Sequence, residues 1–294
     1  TTEIYTLSLH DALPILDYRP FLEAHEESGA GATVAGIKVP LREGHRFGIL
    51  QVDRSGRITR FDEKPHRPEA LPGDPAACLA SMGIYIFETE LLARALAEDA
   101  RTPESRHDFG RDILPQLVRE GVQVRAYDYS AHEPEPYWQD IGTIDAYFEA
   151  SMDLLEEPPR LDLWNQRWPV RFCPCPEPPP LVGIGAACPA ALLSPGVVLR
   201  ACSVRRSILG PGVAVEQGAQ VEESILLDGV RVGAGAVLRK CIVDSGIQIP
   251  REALIGIDPE QDRRLFTLSK SGLTLVPTGL PPEECFRVRP GAWR

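Results

Sequence analysis

At 294 residues the chain is long enough for about two domains, each with its own core. Its formal charge of −11 argues against a general nucleic-acid binder, so any anionic substrate must be held by a few local cations. Seven scattered cysteines fit neither a disulfide framework nor a zinc site and indicate a reducing, cytoplasmic setting, and no apolar run approaches membrane-spanning length.

In chain order, the pattern from Tyr18 to Ser28 is helical, Gly29 closes it, and Ala32 to Val39 reads as a strand. Phe47 to Val52 and Ile58 to Phe61 flank the turn Asp53-Arg54-Ser55-Gly56, which predicts a hairpin. Ala80 to Phe87 is apolar enough for a buried strand, and Thr89 is placed to cap a helix over Leu91 to Glu98. A further helix to about Glu120 and a strand from Val122 to Tyr129 follow. This alternation indicates an α/β layer fold with a parallel or mixed sheet. Next come Tyr137-Trp-Gln-Asp-Ile-Gly-Thr143 and an amphipathic helix in which Ile144, Tyr147, Phe148, Met152 and Leu155 recur, with Thr143 at the N-cap. Asp140 stands just ahead of that helix, where it can be a divalent-cation ligand or a solvated turn residue.

Between Glu156 and Pro180 the proline-dense composition reads as a stiff, solvated linker. After it the period becomes six. Val213, Ala219, Ile225, Val237, Val243, Ile249 and Ile255 share one track, broken only by Arg231, and Leu209, Val215, Val221 and Leu227 share a second, two residues on. Two inward tracks with glycine corners predict a parallel β-helix of hexapeptide turns.

Chemistry-bearing residues precede the linker. Glu63-Lys64 can offer a hydroxyl acceptor and a phosphate-neutralising charge, or be an exposed charge cluster. Ser81-Met-Gly-Ile-Tyr85 places a hydroxyl at a buried strand and a glycine for close approach of a ligand, or for a bulge. His107-Asp108-Phe109-Gly110 offers an acceptor and a stacking ring, or a helix N-cap at Asp108.

Taken in order, Phe47-Gly48, Phe61 to Pro65, Ser81 to Phe87, His107 to Pro115 and Tyr137 to Leu155, followed by a hexapeptide β-helix, closely resemble the glucose-1-phosphate adenylyltransferases (ADP-glucose pyrophosphorylases) of bacterial glycogen synthesis. The resemblance runs from about Leu16 to about Pro277. It implies a partial nucleotidyltransferase catalytic domain over 16–157, a linker over 158–180 and a left-handed parallel β-helix over 181–294. It further implies that Lys64 binds the phosphate of glucose 1-phosphate, that Glu63 contacts the glucose hydroxyls, and that Ser81, Asp108, Phe109 and Trp138 line the sugar-phosphate pocket, with Tyr85 close by. Asp140 would be one of two aspartates holding Mg2+. The reaction implied is attack by the sugar phosphate on the α-phosphorus of ATP with diphosphate leaving, in a cytoplasmic homotetramer controlled by phosphorylated effectors. Arg239, Arg263, Arg264 and Lys270 are candidate effector contacts on the same analogy.

The family's glycine-rich ATP loop and the Ser-Gly-Asp-His motif with the first metal aspartate have no match here. Residues 1–15 look like a translated sequencing-adapter peptide, and Asp11 is not the missing ligand. The expectation is therefore an N-terminally truncated enzyme that neither binds ATP normally nor turns over. A nucleotidyltransferase for another sugar phosphate or nucleotide, or a non-catalytic regulatory paralogue, are the alternatives. Acyl transfer on a β-helix commonly uses a histidine base there, and all six histidines precede the linker.

Overall fold

A computed structural model describes residues 17–132, 136–163, 175–279 and 286. The expected adapter-like segment and the middle of the expected linker lie outside these residues. The chain divides into two compact units between Trp138 and Gln139.

The first unit is an α/β layer built on a mixed sheet. Helix α1 (Tyr18–Ser28) is capped by Asp17, which accepts the Arg19 amide, and is closed by left-handed Gly29. Strands β1 (Ala32–Pro40), β2 (Gly48–Val52), β3 (Ile58–Glu63), β4 (Ala77–Phe87) and β5 (Val124–Asp128) lie in the order β3-β2-β4-β1-β5. Strand β1 is antiparallel to β4 and parallel to β5. Its first six residues are all buried, as a strand covered on both faces requires. Alternation then sorts side chains into two cores. Val34, Leu50 and Leu79 join Phe61, Leu91, Leu114 and Leu117 in one, while Ala35, Ile49 and Ala80 join Phe21, Met82 and Tyr127 in the other.

Several boundaries differ from the sequence reading. A 3₁₀ turn, Leu41–Arg46, precedes β2, and β3 runs on to Glu63. Helix α2 (Thr89–Asp99) has Glu88 at its N-cap with no side-chain cap, so Thr89 is a helical residue and not the cap. Asp108 does cap, accepting the Gly110 and Arg111 amides; it opens a π-type turn, Phe109–Ile113, that runs into α3 (Leu114–Arg119). A short helix α4 (Tyr129–His132) begins at Tyr129, where the strand was expected to end.

The second unit is a parallel β-helix with a helix packed on it. In helix α5 (Ile144–Asp153) the Thr143 hydroxyl accepts the Ala146 amide, as the sequence predicts. Its apolar stripe packs on the β-helix: Met152, with Ile144, Tyr147, Phe148 and Leu155, meets Ile225, Ile242, Leu273 and Leu275. Asp145, in its first turn, accepts hydrogen bonds from the Ser269 and Ser271 hydroxyls, which pins that end of the helix.

The coils step by 17 residues, since Ile208, Ile225 and Ile242 stack, as do Gln220, Val237 and Leu254. One corner of each coil is tightened by a left-handed residue, Arg206, Glu223 or Lys240. The residues after them stack as a buried polar ladder: the Ser224 amide donates to the Ser207 hydroxyl at 3.1 Å and the Cys241 amide to the Ser224 hydroxyl at 3.4 Å. Because 17 is not a multiple of six, the hexad slips by one residue per coil. Val213, Ala219, Val243, Ile249 and Ile255 fill the coil interior, but Ile225 joins the cluster under α5. Arg231, the break in the track, is exposed for the same reason. A last helix, α6 (Pro259–Leu265), is capped by Asp258.

Candidate functional site

The first unit carries an open cleft of about 200 Å³ lined by Gly48, Phe61, Glu63, Ser81, Gly83, Tyr85, Asp108 and Gly110. Each element delivers its residues for a local reason. In β4, pairing with β1 jumps from Val34–Tyr85 to Gly36–Ser81, so β4 bulges between Ser81 and Tyr85. Gly83 takes the bulge with φ +73°, and the period of two brings Ser81, Gly83 and Tyr85 to the same cleft. Thus Gly83 is the bulge residue, and the bulge lies at the cleft.

Strand β3 ends with Phe61 buried and Glu63 at the rim, its side chain 25% exposed. Two glycines flank this pair. A methyl group at Gly48 would sit 2.6 Å from the Phe61 ring and 2.9 Å from Glu63 Oε2; one at Gly110 would sit 2.9 Å from the ring and 3.3 Å from the same oxygen. Gly48, Phe61 and Gly110 belong to motifs visible in the sequence, yet their place in the cleft is a matter of packing that sequence does not display.

Two carboxylates and two hydroxyls therefore converge here. Burial pushes the Tyr85 phenol up, the Ser81 hydrogen bond offsets this in part, and Asp108 and Glu63 add to the rise, so Tyr85 is neutral and can both donate and accept. Phe109 stacks on Tyr85 with ring centres 5.4 Å apart and lies 5.8 Å from the Phe87 ring, so it backs the tyrosine and packs against the core where it was expected to line the pocket. Lys64 has a left-handed backbone, its amide donates to the Phe47 carbonyl, and its ammonium lies 3.9 Å from Glu63 and mostly in solvent. Trp138 packs edge-on against Phe47 at 5.5 Å, and the Arg46 guanidinium lies 5.3 Å from the same ring. The structure thus brings together Glu63, Ser81, Tyr85 and Asp108, with Lys64 adjoining Glu63.

Asp140 belongs to the second compact unit and is exposed, with its Oδ1 accepting the Gly142 amide at 3.2 Å. Among the described residues no group of three or more His, Cys, Asp or Glu side chains could hold a metal by itself. Of the four candidate effector residues, Arg239 is paired with Glu222 at 3.2 Å. Arg263 and Arg264 are exposed in the last turn of α6, and Lys270 is exposed in the turn after Thr267–Leu268. Among the described residues no helix is long and apolar enough to cross a membrane.

A nucleotidyl transferase family profile matches residues 7–157, starting ahead of Leu16, and a GlmU-like C-terminal hexapeptide profile matches residues 184–276. The chain is 47% identical over 277 residues to a glucose-1-phosphate adenylyltransferase of Thermus thermophilus, covering 90% of this chain and 67% of that protein. It is 47% identical over 272 residues to the Streptomyces coelicolor enzyme of the same name, with 90% and 68% covered. With the Corynebacterium kroppenstedtii enzyme the identity is 45% over 270 residues, with 89% and 66% covered. The chain spans about two thirds of the length of these relatives.

Proposed function

The chain belongs to the nucleotidyl transferase family, among the glucose-1-phosphate adenylyltransferases, and from that premise we propose that its cleft binds α-D-glucose 1-phosphate. The observation that carries this reading is the cleft's inventory. Carboxylates and neutral hydroxyls over a glycine-lined floor suit a polyhydroxylated ring, and the neighbouring lysine suits its phosphate. Glu63 and Asp108 accept hydrogen bonds from sugar hydroxyls, Ser81 and Tyr85 donate or accept, and Lys64 neutralises the phosphate. Phe109 fixes the Tyr85 ring, and Trp138 fixes Phe47, whose carbonyl anchors the Lys64 amide.

The reaction we assign to the full-length protein is that of its relatives' name: adenylyl transfer from ATP to glucose 1-phosphate, giving ADP-glucose and diphosphate. Catalysis then rests on positioning and charge neutralisation, since the cleft holds no paired nucleophile and base. Asp140 offers one hard oxygen donor, which fits magnesium, an ion that takes one or two carboxylates and completes its shell with phosphates and water. Bound there, Mg2+ would supply charge neutralisation at the phosphates. In this reading ADP-glucose is the activated glucosyl donor of glycogen biosynthesis, the enzyme is a cytoplasmic homotetramer, and phosphorylated effectors meet Arg263, Arg264 and Lys270.

Calorimetric titration of the purified chain with glucose 1-phosphate tests the reading. Binding is expected for the wild type, weakened about tenfold or more by Lys64→Ala and by Glu63→Gln, with glucose 6-phosphate much weaker. Absence of binding, or equal affinity for the two sugar phosphates, would overturn it.

A further inference from the structure

Asp99 is out of place on stability grounds. It follows Leu91 and Ala95 along the buried stripe of α2, where an apolar residue would pack, and it is only 5% exposed. It also ends the helix, where the aligned carbonyls disfavour a negative charge. Burial and position both oppose a carboxylate there, so its hydrogen bonds must offset the cost.

Those bonds reach forward to the residues just before the cleft. Asp99 Oδ1 accepts from the Ser105 hydroxyl at 2.5 Å, and Oδ2 lies 2.6 Å from His107 Nδ1. Ser105 Oγ in turn accepts the His107 amide at 3.0 Å. Together these hold the Asp99 carboxyl below the usual carboxylate range, with the Ser105 bond the larger cause. His107 is held with φ +58°, a left-handed conformation costly for a side chain of its size. The next residue is Asp108, whose amide donates to Asp112 Oδ2 and whose Oδ1 accepts from Gly110 and Arg111. Asp108 and Gly110 both line the cleft, and the π-type turn begins at the residue between them.

We propose that Asp99 is a positioning residue that, through Ser105 and His107, holds the strained turn placing Asp108 and Gly110 in the cleft. Its consequence for ligand affinity rests on the sugar-phosphate reading above; the positioning itself does not. An apolar residue at 99 would serve the core as well or better, but would release His107 from its conformation. Asparagine is the conservative replacement. Its carbonyl can accept from Ser105 while its amide donates to a neutral His107 Nδ1, so both links survive with the tautomer reversed.

The test uses the whole chain as wild type, Asp99→Ala, Asp99→Asn and His107→Asn. Amide hydrogen exchange at Gly110 and Arg111 reports the Asp108 carboxylate with no ligand, and exchange across Ala32–Pro40 reports global stability. In Asp99→Ala the first two amides are expected to exchange about tenfold faster and glucose 1-phosphate to bind about tenfold more weakly, with β1 unchanged. Asp99→Asn should restore both to within about threefold of wild type. His107→Asn tolerates the left-handed backbone but lacks the reach to Asp99, and should match Asp99→Ala, which keeps the test open if that variant folds poorly. Unchanged exchange at Gly110 and Arg111 in both variants, or acceleration only in step with β1, would overturn the proposal. Accelerated local exchange in a chain whose wild type binds no glucose 1-phosphate would support the positioning and overturn the functional reading alone.

Discussion

The two units of this chain solve the same problem, burying apolar side chains, with opposite use of regularity. In the β-helix the coils that stack Ile208, Ile225 and Ile242 repeat at a step of 17 residues, and a left-handed corner residue, Arg206, Glu223 or Lys240, recurs with them. In the α/β unit the cleft lies where regularity is broken: a bulge at Gly83, left-handed backbones at Lys64 and His107, and a π-type turn after Asp108. Repetition gives a unit in which stability is shared between neighbouring coils, whereas local strain held by surrounding contacts is what fixes converging polar groups. Substitutions should therefore act through stability in the first case and through ligand affinity in the second.

The largest effect is expected where the repeat leaves no room. A methyl group at Gly256 would meet the Arg239 carbonyl oxygen of the previous coil at 1.7 Å, and the residue has φ +73°. Since backbone must move, Gly256→Ala should cost about 4 kcal/mol or more and unfold the last coil at lower denaturant. Gly229, also left-handed at φ +68° but with nothing within 4 Å of an added methyl, separates strain from collision; Gly229→Ala should cost only about 1–2 kcal/mol. Equal losses in urea titrations would show that the corner conformation, and not the coil spacing, is limiting. In the cleft, Gly48→Ala presses on Phe61 and Glu63 and should cost about 1–3 kcal/mol. Here the sharper readout is ligand titration: glucose 1-phosphate affinity should fall well beyond what the stability loss explains, because the Glu63 carboxylate is displaced.

The same contrast governs what could be read from sequence. The β-helix was legible because its signal is summed over many coils. Its register was not, since a hexad count assumes 18 residues per coil, and Ile225 and Val237 are apolar on the outward side of the 17-residue step. Ile225 is apolar because α5 covers it, a tertiary fact absent from any single-strand pattern. In the α/β unit, Glu63, Ser81, Tyr85 and Asp108 were legible as motif residues and do converge. Gly48 and Gly110 were not legible as cleft residues, because their contribution is the space they leave. Nor was Asp99, whose carboxylate looks like an ordinary helix-end charge until its burial is known. The strand preference of Tyr129 yielded to the Asp128 turn, where the carboxylate accepts the Ser130 amide.

Within the β-helix the interior polar ladder gives a pH-dependent prediction. Burial pushes the Cys241 thiol up to about 12, partly offset by Ser224. An unfolded thiol ionises from about pH 8.5, so between about 8.5 and 12 the unfolded chain binds fewer protons than the folded one. Stability therefore falls as pH rises through that window, by at most about 1.4 kcal/mol per unit from this group. The difference between wild type and Cys241→Ala in urea titrations should shrink as pH rises from 8 to 10. A difference independent of pH would mean that the thiol ionises as readily in the folded coil.

The smallest effect is expected on the outer face, where the repeat places Arg205, Glu222 and Arg239 on successive coils and Glu222 pairs with both arginines. The arginine side chains are 56% and 54% exposed, so solvent screens both pairs and each is worth well under about 1 kcal/mol. Glu222→Ala removes both pairs and leaves two guanidinium groups two coils apart, roughly 10 Å, near the screening length at ordinary salt. The loss should be about 1 kcal/mol at low ionic strength and should vanish near 1 M salt, while Arg239→Ala should cost about half as much. A loss that persists at high salt would mean that this outer row acts through the packed stems of its side chains and not through its charges, unlike the interior ladder, which acts through hydrogen bonds.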